Sequence, residues 1–168
     1  VTDQWQSIIH AELKKYKDRF LENEEGLIRD WPSDYSIYGW LVSMKSGGEL
    51  SAHIHDTGWI TGSIYINVPP RSKKDSGNLV VTTHDSKHGN GKAKDTKSID
   101  VVTGSLCLFP SSLLHYTIPF ESDDDRIVLA FDIIPNNCII LGSHSTISRG
   151  KIIINNPRTR TEAYKFMQ

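Results

Sequence analysis

The alternation of apolar and polar residues divides the chain into a helical start and a strand-rich remainder. From Asp3 to Leu21, apolar side chains recur every three or four positions while charged side chains fill the other side. This pattern predicts an amphipathic helix that covers one face of a sheet. A second short helical turn is predicted over Asn23–Arg29, and it ends before Pro32 because the residue before a proline is pushed toward extended conformations.

After this point the chain consists of short runs rich in Ile, Val, Leu and Tyr that are separated by turn-forming residues, a pattern typical of strands. The predicted strands are Tyr35–Met44, Leu50–His55, Trp59–Val68, Leu79–Thr83, Ile99–Val102, Leu106–Phe109, Leu114–Pro119 and Arg126–Ile134, with one more candidate at Lys151–Ile154. About eight strands at such close spacing predict a sandwich or a barrel.

The length of 168 residues fits one domain with one core. We therefore predict a single domain over residues 1–168. It consists of a helical N-terminal segment at 1–34, a β core at 35–135 and a C-terminal extension at 136–168. Because the sequence begins with Val1 rather than Met, we expect either processing or a domain cut from a longer chain, and we favour the second.

Composition narrows the classes of partner. The chain has 19 basic and 20 acidic residues and a formal net charge of −1, which offers no general attraction to nucleic acid or to an anionic membrane. Only two cysteines occur, no apolar run is long enough for a membrane span, and the start lacks the form of a signal peptide. We expect a cytoplasmic protein with neither a nucleic-acid nor a membrane partner.

The candidate chemistry lies in three histidines and one arginine. His53 and His55 are two residues apart, so in a strand they point to the same side and can chelate one metal ion. His115 is a candidate third ligand. Arg126 opens an apolar run, and a cation at the mouth of a buried strand needs a partner, such as an acidic small molecule beside the metal.

The residues alone leave alternatives open. Asp56 follows His55 directly and can bind the metal only if the strand has ended there, so we predict three imidazole ligands and keep Asp56 as an alternative. A ligand set without a negative charge leaves the metal more electrophilic and could favour zinc. Arg126 could instead pair with one of the neighbouring carboxylates at 123–125.

Five motifs, taken together, resemble a known family. They are G-W-x-V at 39–42, G-G at 47–48, H-x-H-x-x-G-W-x-x-G-S-x-Y at 53–65, G-x-L-x-L-F-P-S-x-L-x-H at 104–115 and D-R-I-x-L-A-F-D at 125–132. In this order and spacing they resemble the 2-oxoglutarate/Fe(II)-dependent oxygenases, in the prolyl-hydroxylase-like branch of the double-stranded β-helix dioxygenases. The resemblance covers roughly residues 35–135.

The resemblance implies both a fold and an activity. The fold would be mainly β, a double-stranded β-helix of the jelly-roll, cupin-like kind, with the N-terminal helix packed on the outside. The single domain would then be an oxygenase that uses Fe(II) and dioxygen, decarboxylates 2-oxoglutarate to succinate and hydroxylates an unidentified primary substrate. A protein side chain is the expected class of that substrate.

The resemblance also implies roles for particular residues. His53, His55 and His115 would be the catalytic metal ligands, although His55 stands where the family usually has Asp or Glu. Arg126, Tyr65 and Thr117 would bind 2-oxoglutarate, with Arg126 pairing to its distal carboxylate. Two other functions stay open, a cupin-like three-histidine dioxygenase that does not use 2-oxoglutarate and a non-enzymatic β-barrel binding module.

Overall fold

The structure is a computed structural model that describes residues 2–22, 26–83, 96–136 and 161–166. The helices are α1 (Thr2–Arg19) and α2 (Gly26–Arg29), and the strands are β1 (Tyr35–Met44), β2 (Leu50–His53), β3 (Ile60–Asn67), β4 (Leu79–Thr82), β5 (Thr96–Ile99), β6 (Leu106–Pro110), β7 (Leu114–Thr117), β8 (Arg126–Pro135) and β9 (Thr161–Phe166). Neither helix is long and apolar enough to cross a membrane.

The described strands form two antiparallel sheets. One sheet has the order β6-β3-β8-β1-β9 and the other has the order β2-β7-β4-β5. Strands that are distant in sequence, such as β1 and β8 or β2 and β7, are neighbours in space. This topology is a double-stranded β-helix, as predicted.

The main core lies between the two sheets. It joins side chains of β1 and β8, among them Val42, Met44 and Val128, to Leu79 and Val81 of β4. Because side chains alternate faces along a strand, the inner face of β8 also carries Arg126 and Asp132, six positions apart. Two ionisable side chains therefore project toward the space between the sheets.

The N-terminal helix covers the outer face of the five-stranded sheet, as predicted. Ile9 and Leu13 of α1 are buried in a second cluster, the outer cluster, with Ile60, Phe131 and Ile133. Since these strand residues face away from the main core, the sheet is buried on both sides. The helix therefore fixes the back of the sheet whose front carries part of the functional site.

The strand ends differ from the predicted ones at several points. β2 ends at His53 instead of His55, and β7 ends at Thr117 instead of Pro119. The strand predicted at Ile99–Val102 is β5 at Thr96–Ile99, because its mostly exposed residues pair with β4 without showing an apolar pattern. The strand candidate at Lys151–Ile154 lies outside the described residues.

Strand β9 was not predicted. It pairs with β1 along the edge opposite β8, with Gly39 facing Phe166 and Met44 facing Thr161. Residues of the C-terminal segment thus add a strand to the five-stranded sheet.

Gly62→Ala should destabilise the protein by about 1–3 kcal/mol, because the added methyl group would overpack the outer cluster. A Cβ at position 62 would lie 2.1 Å from Cζ of Phe131, its cross-strand partner. Gly39 faces Phe131 from the other side, and a Cβ there would meet nothing closer than 3.7 Å. Gly39→Ala is the matched control and should change the free energy of unfolding by at most ~0.5 kcal/mol. Chemical denaturation measures both, and equal stability of the two variants would contradict the argument.

Candidate metal centre

The pairing of β2 with β7 brings His53 and His115 together. The two strands pair at Leu50↔Thr117 and at His53↔His115, so β2 has one more residue than β7 between these two pairs. This β-bulge places His53, rather than Ala52, opposite His115. Residues directly opposite in an antiparallel pair have Cβ atoms about 4.5–5.5 Å apart. The two imidazole ring centroids accordingly lie 4.4 Å apart.

His55 joins this pair although its strand has ended. Its backbone N–H donates to the carbonyl of Ser111 at 3.0 Å, which holds the chain beside β6 and β7. The centroid of the His55 ring lies 5.1 Å from that of His53 and 5.0 Å from that of His115. One ligand nitrogen from each histidine lies within 4.8 Å of the others, so the three predicted imidazoles converge.

Asp56 does not join the three histidines. Its side chain is exposed, and the group of candidate ligands found among the described residues contains His53, His55 and His115 without a carboxylate. The strand does end before Asp56, which was the condition for its being a ligand. Even so, the chain turns its carboxylate toward solvent, and the geometry favours the three-imidazole set.

The hydrogen bonds of the rings decide which nitrogen faces the centre. Nδ1 of His53 lies 2.7 Å from the Ser51 carbonyl oxygen, and Nδ1 of His115 lies 3.1 Å from that of Leu113. A carbonyl oxygen can only accept, so each Nδ1 carries the proton and donates it. Each Nε2 then keeps a lone pair, which is what a metal ligand requires.

Burial keeps two of these rings neutral. It lowers the pKa of His53, and it lowers the pKa of His115 to about 4, because removal from water disfavours the charged imidazolium. The positive charge that neighbouring imidazoles would carry lowers both pKa values further. Both side chains are therefore unprotonated at Nε2 near neutral pH and do not have to lose a proton before they bind a metal ion.

Asp132 is a member of the site that sequence reasoning did not assign. Its Oδ1 lies 2.7 Å from Nδ1 of His55 and 2.8 Å from the hydroxyl of Thr61, and the side chain is buried. Its spacing in the sequence could have placed it in the interior, because Asp132 lies an even number of residues after Arg126 and so shares the inner face of β8. The sequence did not reveal which histidine it would meet.

Arg126 is buried in the same interior, with only 1% of its surface exposed. Its Nε and Nη1 have no hydrogen-bond partner among the described residues. The carboxylates at 123–125 do not neutralise it in the structure, and Asp125 pairs with Lys45 instead. Burial lowers the pKa of Arg126, which means that the charged guanidinium is poorly solvated where it stands.

Two other predicted residues share this interior. The Tyr65 ring lies 5.0 Å below the guanidinium carbon of Arg126, within the range of a cation–π contact. Burial raises the pKa of Tyr65, so its hydroxyl stays protonated and able to donate. Thr117 is buried two residues after His115 on β7, on the same face and opposite Leu50. The structure thus places all six predicted site residues on the inner side of the β-helix.

Aromatic side chains form part of the wall around the histidines. The Trp40 ring lies 5.6 Å from His55, and the Phe109 ring lies 4.9 Å from His115 with an edge-on geometry. Trp40 is only half-buried, so one wall of the site reaches solvent, whereas Phe109 belongs to the buried core. Trp59 packs instead against the outer cluster.

The residues present fit both a metal ion and 2-oxoglutarate. Three convergent imidazoles suit a divalent transition metal and leave other coordination positions free. The buried guanidinium of Arg126, with two nitrogens that lack a hydrogen-bond partner among the described residues, suits a carboxylate, because buried polar groups without hydrogen bonds are costly and arginine binds carboxylates through two parallel hydrogen bonds.

Comparisons with solved structures find distant similarity. An oxidoreductase of the 2OG-Fe(II) oxygenase family from Burkholderia pseudomallei has 15% identity and a TM-score of 0.46, over 62% of this chain and 47% of its own. A Pseudomonas putida prolyl-4-hydroxylase has 19% identity and a TM-score of 0.44, over 61% of this chain and 52% of its own. HygX from Streptomyces hygroscopicus, solved with nickel and 2-oxoglutarate, has 15% identity and a TM-score of 0.39. The match covers 64% of this chain and 58% of the HygX chain. The chain thus spans about half the length of the first two proteins.

Sequence comparison gives the family. No curated protein sequence matches the chain. A family model described as "Putative 2OG-Fe(II) oxygenase" matches residues 38–132, more than half of the 168 residues. This match runs from β1 to Asp132 of β8 and includes the three histidines, Tyr65, Thr117 and Arg126. The chain therefore belongs to the 2OG-Fe(II) oxygenase family.

Proposed function

We propose that this chain is a 2-oxoglutarate-dependent Fe(II) dioxygenase that decarboxylates 2-oxoglutarate to succinate and hydroxylates a primary substrate. The observation that carries the proposal is the buried guanidinium of Arg126, whose Nε and Nη1 lack partners among the described residues. It lies on the same inner side of the β-helix as the three convergent histidines. A candidate metal site that shares the interior with a buried guanidinium of unused hydrogen-bonding capacity fits a ligand that chelates metal at one end and carries a carboxylate at the other.

In this proposal His53, His55 and His115 hold the metal through Nε2, since the Nδ1 atoms of all three are engaged elsewhere. Fe(II), when bound with 2-oxoglutarate and dioxygen, supplies the oxidative chemistry, in which one oxygen atom enters succinate and the other enters the hydroxylated product. A protein side chain stays the predicted class of primary substrate.

Arg126, Tyr65 and Thr117 would orient 2-oxoglutarate. Arg126 would donate to the distal carboxylate, and the protonated Tyr65 beneath it can donate to the same group. Thr117 lies two residues beyond His115 on the same face of β7, where its hydroxyl can add a further hydrogen bond. The apolar core around these groups excludes water, which strengthens each electrostatic contact.

The first expected outcome concerns the reaction as a whole. Anaerobic addition of 2-oxoglutarate to the Fe(II)-loaded protein should produce the weak visible charge-transfer band of a 2-oxo acid chelated to ferrous iron. Admission of dioxygen should then yield succinate. Bound iron without the band or succinate would overturn the proposal in favour of a three-histidine dioxygenase that does not use 2-oxoglutarate. Absence of iron binding would favour a non-enzymatic module.

The second expected outcome concerns the ligand set. His55→Ala should weaken divalent metal binding by more than about 100-fold, because loss of a direct ligand exceeds the effect of losing a supporting residue. Asp56→Ala is the matched control, since it removes the adjacent exposed carboxylate and should leave the metal content normal. Elemental analysis after metal loading and desalting measures both. The reverse pattern would assign the ligand to Asp56.

The third expected outcome concerns the carboxylate partner. Arg126→Gln should weaken 2-oxoglutarate binding by about 30-fold or more while leaving metal affinity unchanged, because loss of a buried charge partner costs about 2 kcal/mol or more. Arg71→Gln is the control, because Arg71 already donates to the carbonyls of Lys74 and Val101. Calorimetric titration of the Ni(II)-loaded protein with 2-oxoglutarate measures the affinities. Equal affinity in the Arg126 variant and the parent would contradict the assignment.

A further inference from the structure

We infer that Asp132 is a positioning residue of this metal centre. Its carboxylate holds His55 with Nε2 toward the metal, and it supplies the negative charge that the three-imidazole ligand set lacks. The inference rests on the proposed function, because it assumes that the three histidines bind a divalent metal.

The three histidines differ in what their Nδ1 atoms meet. His53 and His115 donate to neutral backbone carbonyls, those of Ser51 and Leu113. His55 alone meets a carboxylate, with 2.7 Å between its Nδ1 and Oδ1 of Asp132. A carboxylate behind a metal-bound histidine fixes the ring orientation and the tautomer and makes the imidazole a stronger donor. His55 is therefore the most strongly donating of the three ligands.

Asp132 is itself held in place by β3 and by the turn after β6. It lies directly across from Thr61 in the β3–β8 pairing, and the Thr61 hydroxyl is 2.8 Å from Oδ1. That hydroxyl is also 2.8 Å from Oγ of the fully buried Ser111. The backbone at Gly58 closes the cluster, since a Cβ there would lie 2.4 Å from Ser111 Oγ and 3.5 Å from Asp132 Cγ. The carboxylate is thus fixed by a packed polar network.

The charge of Asp132 also calls for a cation. Its side chain is largely buried, and within the described parts of the chain its one ion-pair contact is with His55. A buried carboxylate without a permanent cation nearby is costly. A divalent metal on Nε2 of His55 would compensate it across one imidazole ring. The divalent metal ion and the Asp132 carboxylate would together carry a net charge of +1. A divalent ion bound directly by two histidines and one carboxylate carries the same net charge.

The histidine tautomers of the metal-free protein give the first test. Long-range ¹H–¹⁵N spectra distinguish Nδ1–H from Nε2–H, and all three site histidines of the parent should show Nδ1–H. Asp132→Asn removes the charge but keeps the shape, and it should shift His55 toward a mixture of tautomers while His53 and His115 keep theirs. A purely structural role for Asp132 predicts no selective change at His55, and that result would overturn the inference.

Metal affinity gives the second test. Co²⁺ titration, followed by visible absorption, should show an affinity about 10–100-fold lower for Asp132→Asn than for the parent. Asp56→Asn, which removes an exposed carboxylate one residue from His55, should bind Co²⁺ as the parent does. Thr61→Val, which removes one donor to Asp132, should give a smaller loss. Thermal unfolding of the metal-free variants separates a loss of folding from a loss of affinity.

The outcomes separate this inference from the proposed function. An Asp132→Asn affinity within about twofold of the parent would overturn the positioning role and leave the metal centre standing. A loss as complete as that of His55→Ala would make Asp132 a direct ligand and also overturn it. If the parent protein binds no Co²⁺, the metal centre of the proposed function fails, and the role of Asp132 fails with it.

Discussion

The bulged pairing of β2 with β7 is the constraint on which the candidate site depends. An extra residue between Leu50 and His53 puts His53 directly opposite His115. Because strand side chains alternate faces, a shift of one residue would turn His53 away from the interior and bring in a neighbour instead. The convergence of the imidazoles therefore follows from one local irregularity in an edge strand of the four-stranded sheet.

Strand β8 provides the two charged groups of the interior. Arg126 stands at its first position and Asp132 stands six residues later on the same face, with Val128 between them in the core. Buried ionisable groups cost free energy unless they are paired. Asp132 has His55 and Thr61 as partners, whereas two nitrogens of Arg126 have none among the described residues. The strand thus carries a buried cation whose hydrogen-bonding capacity the described residues leave partly unused.

The outer face of the same strand holds these groups in place. Phe131 is fully buried beneath α1, and its ring occupies the space that Gly62 leaves open on β3. Residues 61 and 62 of β3 pair with Asp132 and Phe131 in the same register. The packing of one aromatic ring on the outside therefore fixes the position of the neighbouring carboxylate on the inside. Support for the metal centre extends through the sheet to the N-terminal helix.

The sequence by itself determined the strands with strong apolar character, the outer helix, and the residue types of the site. His53, His55, His115 and Arg126 could be identified because their chemistry is conspicuous within apolar strands. The bounds of β5 were misplaced, because its mostly exposed residues show no apolar pattern. Strand β9 was not predicted, since its pairing with β1 runs through backbone groups. Only the tertiary structure decided that His55 reaches its partners after its strand has ended, and that Asp132 rather than Asp56 stands beside it. These contacts join residues from separate strands, and no local pattern in a chain encodes which distant side chains will meet.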